Sequence, residues 1–99
     1  MPCIQVKTNV STSREKADAI KAALGQAIGF LPGKSEDWLM VAIEDGCHMY
    51  FGGRGGRPIA MVEVKILGSS IDKDGAKRMT GEITRVLGGV LGVSPDDMY

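Results

Sequence analysis

Apolar and polar residues alternate from Cys3 to Asn9 (CIQVKTN), with enough β-branching to predict a strand. At Thr12-Ser13-Arg14-Glu15 the pattern becomes a capping box, which starts a helix near residue 13. Ala17, Ile20, Leu24, Ala27, Ile28 and Leu31 then recur as one face of a 3.6-residue period. Leu31-Pro32-Gly33 stops that helix, and Trp38–Glu44 reads as a second strand. Asp45-Gly46 leads into Met49-Tyr50-Phe51, a glycine-rich GGRGGRP turn follows, and Ile59–Leu67 is a long third strand. Asp72 caps a second helix with the apolar face Ala76, Met79, Ile83, Val86, Leu87 and Val90.

The two helical faces superimpose, position for position, with a shift of 59 residues. Val6-Lys7 matches Val64-Lys65, and GKSEDWLM (33–40) matches GVSPDDMY (92–99). The chain is thus a single domain over 1–99 with an internal repeat, about 2–45 and 59–99. Each repeat is strand, helix, strand, so its strands pair in parallel through a right-handed crossover. Two units side by side predict an α+β fold: a four-stranded mixed sheet with both helices on one face. The second copy stops at Tyr99, where its closing strand should begin, so a C-terminal strand is expected to be missing. The uncovered sheet face, with the apolar stretch Ile59–Val64, calls for burial in a symmetric oligomer whose clefts lie between subunits.

Twelve lysines and arginines balance twelve acids, which argues against a generic nucleic-acid or anionic-membrane binder. The start is strand-like and lacks the basic and long apolar stretches of a signal peptide, and no apolar run could span a bilayer. Cys3 and Cys47 are too few for a disulfide framework. A reduced, cytoplasmic protein is expected.

The distinctive chemistry is at the start, Met1-Pro2. A small second residue favours removal of the initiator methionine, leaving a proline secondary amine at the terminus. An α-amino group titrates near pH ~8, and an apolar pocket moves it toward neutrality. A neutral amine held still by its ring is a general base. Elsewhere the signals are weaker. Lys34, just past the first helix, either complements the helix end or holds a substrate carboxylate. GFLPGKS lacks the spacing and the preceding strand of a phosphate loop. GGRGGR (52–57) reads as a turn, and Cys47-His48 has no accompanying pair at zinc spacing, so no metal site is expected. Serine, histidine and acid residues form no triad signature.

N-terminal proline, TNV, GK after the first helix, MYFGG, LG ending the long strand and SPDDMY occur in order. This series resembles the macrophage migration inhibitory factor family of the tautomerase superfamily, over the whole chain. The resemblance implies a homotrimer in which three sheets form a barrel wrapped by helices. It implies cofactor-independent keto–enol tautomerase activity on phenylpyruvate-type and dopachrome-type substrates. Pro2 matches the catalytic proline, Lys34 the lysine that contacts anionic substrate oxygens, and Leu67 the residue whose backbone amide donates there. Tyr99 matches a tyrosine that enters the pocket from a neighbouring subunit, and Trp38 an aromatic at its rim.

Departures limit the transfer. Members of the family continue beyond the matching tyrosine, adding a strand, a pocket asparagine and a rim tryptophan. A CxxC found in some members falls on Ile59-Ala60-Met61-Val62, which removes thiol–disulfide chemistry. Cys3 reads as a small buried residue beside the proline. The competing reading is a cytokine-like ligand of a protein receptor, exported without a leader, with a vestigial pocket. A third is hydration or dehalogenation of small unsaturated acids, for which Arg54 and Arg57 are the loop candidates.

Overall fold

The computed structural model describes residues 2–66, 68 and 71–99. Three strands, β1 (Cys3–Thr8), β2 (Met40–Glu44) and β3 (Ala60–Lys65), form one sheet in the order β2-β1-β3. β1 is parallel to β2, with Cys3 opposite Met40, and antiparallel to β3, with Cys3 opposite Lys65. The crossover from β1 to β2 is α1 (Arg14–Ala27), and α2 (Lys73–Leu91) follows β3.

Alternation along β1 sends Ile4, Val6 and Thr8 into the core, where Ile20, Leu24, Ala27 and Ile28 of the first helical segment meet Met79, Ile83 and Leu87 of α2. Full burial of each large aliphatic side chain contributes about 1.5–3 kcal/mol. Four of the helical pairs related by the 59-residue shift are buried on both sides: Ile20 and Met79, Leu24 and Ile83, Ala27 and Val86, Ile28 and Leu87.

Local chemistry moves several boundaries. Ser13 is the α1 cap, its hydroxyl accepting from the Lys16 N–H at 3.1 Å. Thr12 instead gives its N–H and hydroxyl to Asp45, tying the loop before α1 to the loop after β2. The α-helix ends at Ala27 and tightens into a 3-10 turn, Ile28–Phe30, before Pro32. Trp38 lies in another 3-10 turn, Glu36–Trp38, so β2 starts two residues later than the pattern predicts. Asp72 caps α2 as expected, accepting from the Gly75 N–H at 2.7 Å.

The expected four-stranded sheet is a three-stranded one among the described residues. The start of the fourth position is nevertheless occupied. Met98 bridges Ala60 in parallel, the Tyr99 N–H donates to the Ala60 carbonyl at 3.0 Å, and the Val62 N–H donates to the Tyr99 carbonyl at 2.7 Å. The reason is local: Ser94-Pro95-Asp96-Asp97 forms a capped 3-10 turn that aims the chain at the edge of β3.

The face away from the helices is also less apolar than expected. Ile59 and Ala60 are buried, and Val62 and Val64 point toward α2. The outer face carries Gln5, Lys7, Glu44, Glu63 and Lys65 among Cys3, Met40, Ala42 and Met61. Glu63 and Lys65 pair across it at 3.1 Å, and Gln5 donates to Glu44 at 3.4 Å.

Candidate functional site

Pro2 is buried at the head of the central strand. Its carbonyl accepts the Met40 N–H at 3.0 Å, which extends the β1–β2 ladder by one rung and fixes the ring beside the start of β2. The antiparallel register with β3 brings the Ile66 end of that strand alongside. Three pieces of chain therefore converge on Pro2: the entrance to β2, the exit from β3 and its own strand.

The segment entering β2 carries two expected site residues. Lys34 is half-buried and follows Gly33, whose φ of 74° is a left-handed conformation that suits glycine. The Lys34 N–H donates to the Leu31 carbonyl at 3.2 Å, so its backbone closes the end of the first helical segment. Trp38 is 69 % exposed, two residues before the Met40 amide that holds Pro2. The turn is braced on both sides. Glu36 pairs with Lys21 at 3.5 Å and packs over Gly25, while Arg78 stacks on Phe30 at 4.5 Å from the ring centroid.

Leu67 lies outside the described residues. Tyr99 is placed elsewhere: it is 83 % exposed at the opposite end of β3, edge-on to Phe51 with ring centroids 6.5 Å apart. Within one chain Pro2 heads β1, Lys34 and Trp38 lie in the segment that leads into β2, and Tyr99 lies at the other end of the sheet.

Arg57 is not available as a loop cation. Its Nε donates to Asp97 at 2.8 Å, and Asp97 is buried. Asn9 completes the knot: its amide donates to the Arg57 carbonyl and its oxygen accepts the Ile59 N–H, both at 2.8 Å. This network leaves no local pattern along the chain, because each of its bonds spans 40 or more positions. Arg54 is exposed in a turn closed by reciprocal bonds with Phe51, and His48 is exposed. Among the described residues no three His, Cys, Asp or Glu side chains gather into a metal-binding group, and no helix is long and apolar enough to cross a membrane.

Two helices on one face of a mixed sheet, with a buried proline heading the central strand, define an α+β fold built around its own N-terminus. The profile of the macrophage migration inhibitory factor (MIF) family matches residues 1–99, and the chain belongs to that family. Solved structures agree on the fold. Leishmania major MIF2 matches with a TM-score of 0.89 at 29 % identity, covering 100 % of this chain and 84 % of that one. The macrophage migration inhibitory factor from Giardia lamblia gives 0.80 at 24 %, covering 99 % and 93 %. A homologue from Prochlorococcus marinus gives 0.78 at 22 %, covering 98 % and 82 %. No curated protein sequence matches the chain.

Proposed function

We propose that the protein is a cofactor-independent keto–enol tautomerase acting on phenylpyruvate-type 2-oxo acids, with Pro2 as base and then acid. The observation that carries this reading is the burial of Pro2 at a junction of three chain segments. Once Met1 is removed, the Pro2 nitrogen is the terminal secondary amine of a buried residue, and burial disfavours its protonated form. Family membership supports the same reading.

In the enolising direction the Pro2 nitrogen takes a proton from the carbon next to the carbonyl. The C–H electron pair becomes the new C=C bond, and the carbonyl π pair moves onto oxygen. Pro2 then returns the proton to that oxygen, leaving the amine neutral again. Lys34 holds the substrate carboxylate, and the Leu67 backbone amide stabilises the developing enolate. Trp38 borders the entrance for an aromatic ring. Tyr99 joins this group from a neighbouring copy in a homotrimer, since its own Pro2 is at the far end of the sheet.

Enol-to-keto turnover of phenylpyruvate by the Met-processed chain, beside Pro2→Ala and a form that retains Met1, tests the assignment. Activity in the processed chain alone is the expected result. Equal turnover in all three would remove Pro2 from the mechanism. A folded, processed chain without turnover would favour the receptor-ligand reading.

A further inference from the structure

Among the described residues, Arg57 and Asp97 form the most deeply set ion pair. Their side chains are 35 % and 11 % exposed, whereas each other pair has a side chain more than half exposed. Desolvation offsets much of what such a pair gives to stability, so its remaining effect is to fix where its two segments lie.

Both segments lead to Tyr99. Asp97 closes the Pro95–Asp97 turn, two residues before Tyr99. Arg57 stands three residues before Ala60, whose carbonyl accepts the Tyr99 N–H at 3.0 Å. Between Arg57 and Ala60 the backbone is clamped to the end of β1. Asn9 holds the Arg57 carbonyl and the Ile59 N–H, and the buried Thr8 hydroxyl donates to the Ile59 carbonyl at 2.7 Å. The strand that receives Tyr99 is thus tied to β1, and one charged bond ties the turn that delivers Tyr99 to that strand. The ring itself has little support beyond its edge-on contact with Phe51. Its direction follows from its backbone.

We propose that Arg57 is a positioning residue: through Asp97 it sets the direction in which Tyr99 is presented to Pro2 of a neighbouring copy. The inference rests on the tautomerase reading above, in which Tyr99 completes that site. Arg57 touches no substrate. A misplacement of about 1 Å can cost a reaction roughly 100-fold, so a bond remote from the reacting atoms can govern turnover.

The test is a double-mutant cycle on phenylpyruvate turnover, run well below the unfolding midpoint of every variant. Arg57→Ala is expected to lower kcat/KM by about tenfold in the parent chain and by less than about twofold in a Tyr99→Ala chain, because an absent ring cannot be misdirected. Arg57→Lys keeps a cation for Asp97 and should recover most of the loss. NMR cross-peaks between the Phe51 and Tyr99 rings should weaken in Arg57→Ala and return in Arg57→Lys. If Arg57→Ala does not fold, the milder Asp97→Asn takes its place in the cycle, with the same direction expected. Equal losses in the two backgrounds would overturn the proposal, since the pair would then act through stability alone. So would an unchanged kcat/KM in Arg57→Ala. A parent chain without turnover contradicts the tautomerase reading instead, and the ring cross-peaks then decide alone whether Arg57 directs Tyr99.

Discussion

Pro2 and Tyr99 lie at opposite ends of the same sheet. Pro2 stands beside the Ile66 end of β3, whereas the Tyr99 backbone bonds Ala60 and Val62 at the other end. Five residues of strand separate the two levels, about 17 Å at the usual rise. A site that uses both needs two copies, each lending one end of its sheet to the next. Such a heterologous contact forms a ring only where its rotation closes.

Complementation follows from that separation. Pro2→Ala and Tyr99→Ala chains should each lose most turnover when assayed alone. Co-refolded in equal amounts, they should recover about a quarter of wild-type sites, those pairing an intact Pro2 with an intact Tyr99. Turnover no greater than the sum of the separate variants would place both residues in one chain's site.

The Arg57–Asp97 pair holds the C-terminal turn against the loop before β3. Asp97 is buried, and removing its partner leaves a carboxylate without its charge-assisted bond. Arg57→Ala should lower stability by about 2 kcal/mol in urea unfolding, and Arg54→Ala, in an exposed turn, by little. Equal effects would show that the pair is incidental.

Two glycines should resist substitution for different reasons. A Cβ on Gly75 would overlap the Phe30 carbonyl, where the start of α2 packs against the end of the first helical segment. Gly92 ends α2 with a φ of 71° and donates its N–H to the Gly88 carbonyl at 3.1 Å. Gly92→Ala should cost about 1 kcal/mol through backbone strain alone. Gly75→Ala should cost more, because a carbonyl must move. Thermal unfolding of both beside the exposed Gly81→Ala control checks the order.

Asp45 predicts a pH dependence. The Thr12 backbone N–H, and then its hydroxyl, hold the Asp45 carboxyl below its ordinary value. A carboxyl lowered in the folded state stabilises the fold above its unfolded pKa, and that contribution disappears as pH falls through the folded value. Asp45→Asn should therefore be less stable than the parent at neutral pH, with the gap closing as the pH falls below about 4. A gap that stays constant with pH would mean that the two bonds to Thr12 do not depend on charge.

Much of the fold was legible because it rests on local rules. Six apolar positions in each helical segment share one period, and the strand–helix–strand connection predicts the parallel β1–β2 pairing. Boundaries were less legible where tertiary partners intervene. Asp45 takes Thr12 away from the α1 cap, and the Glu36–Trp38 turn delays β2. At the candidate site, the sequence singled out Pro2 by chemistry but gave no hint that Met40 would fix its carbonyl. The Asn9–Arg57–Asp97 knot was invisible because residues far apart in sequence carry it.

The central claim is that Pro2 is a neutral base at physiological pH. An NMR titration of the ¹⁵N-proline-labelled, Met-processed chain measures this directly at the reacting atom. The account predicts a Pro2 nitrogen that loses its proton at or below about pH 7, under the ordinary α-amino value. A midpoint at or above about pH 8 would leave the amine protonated and contradict its assignment as the base.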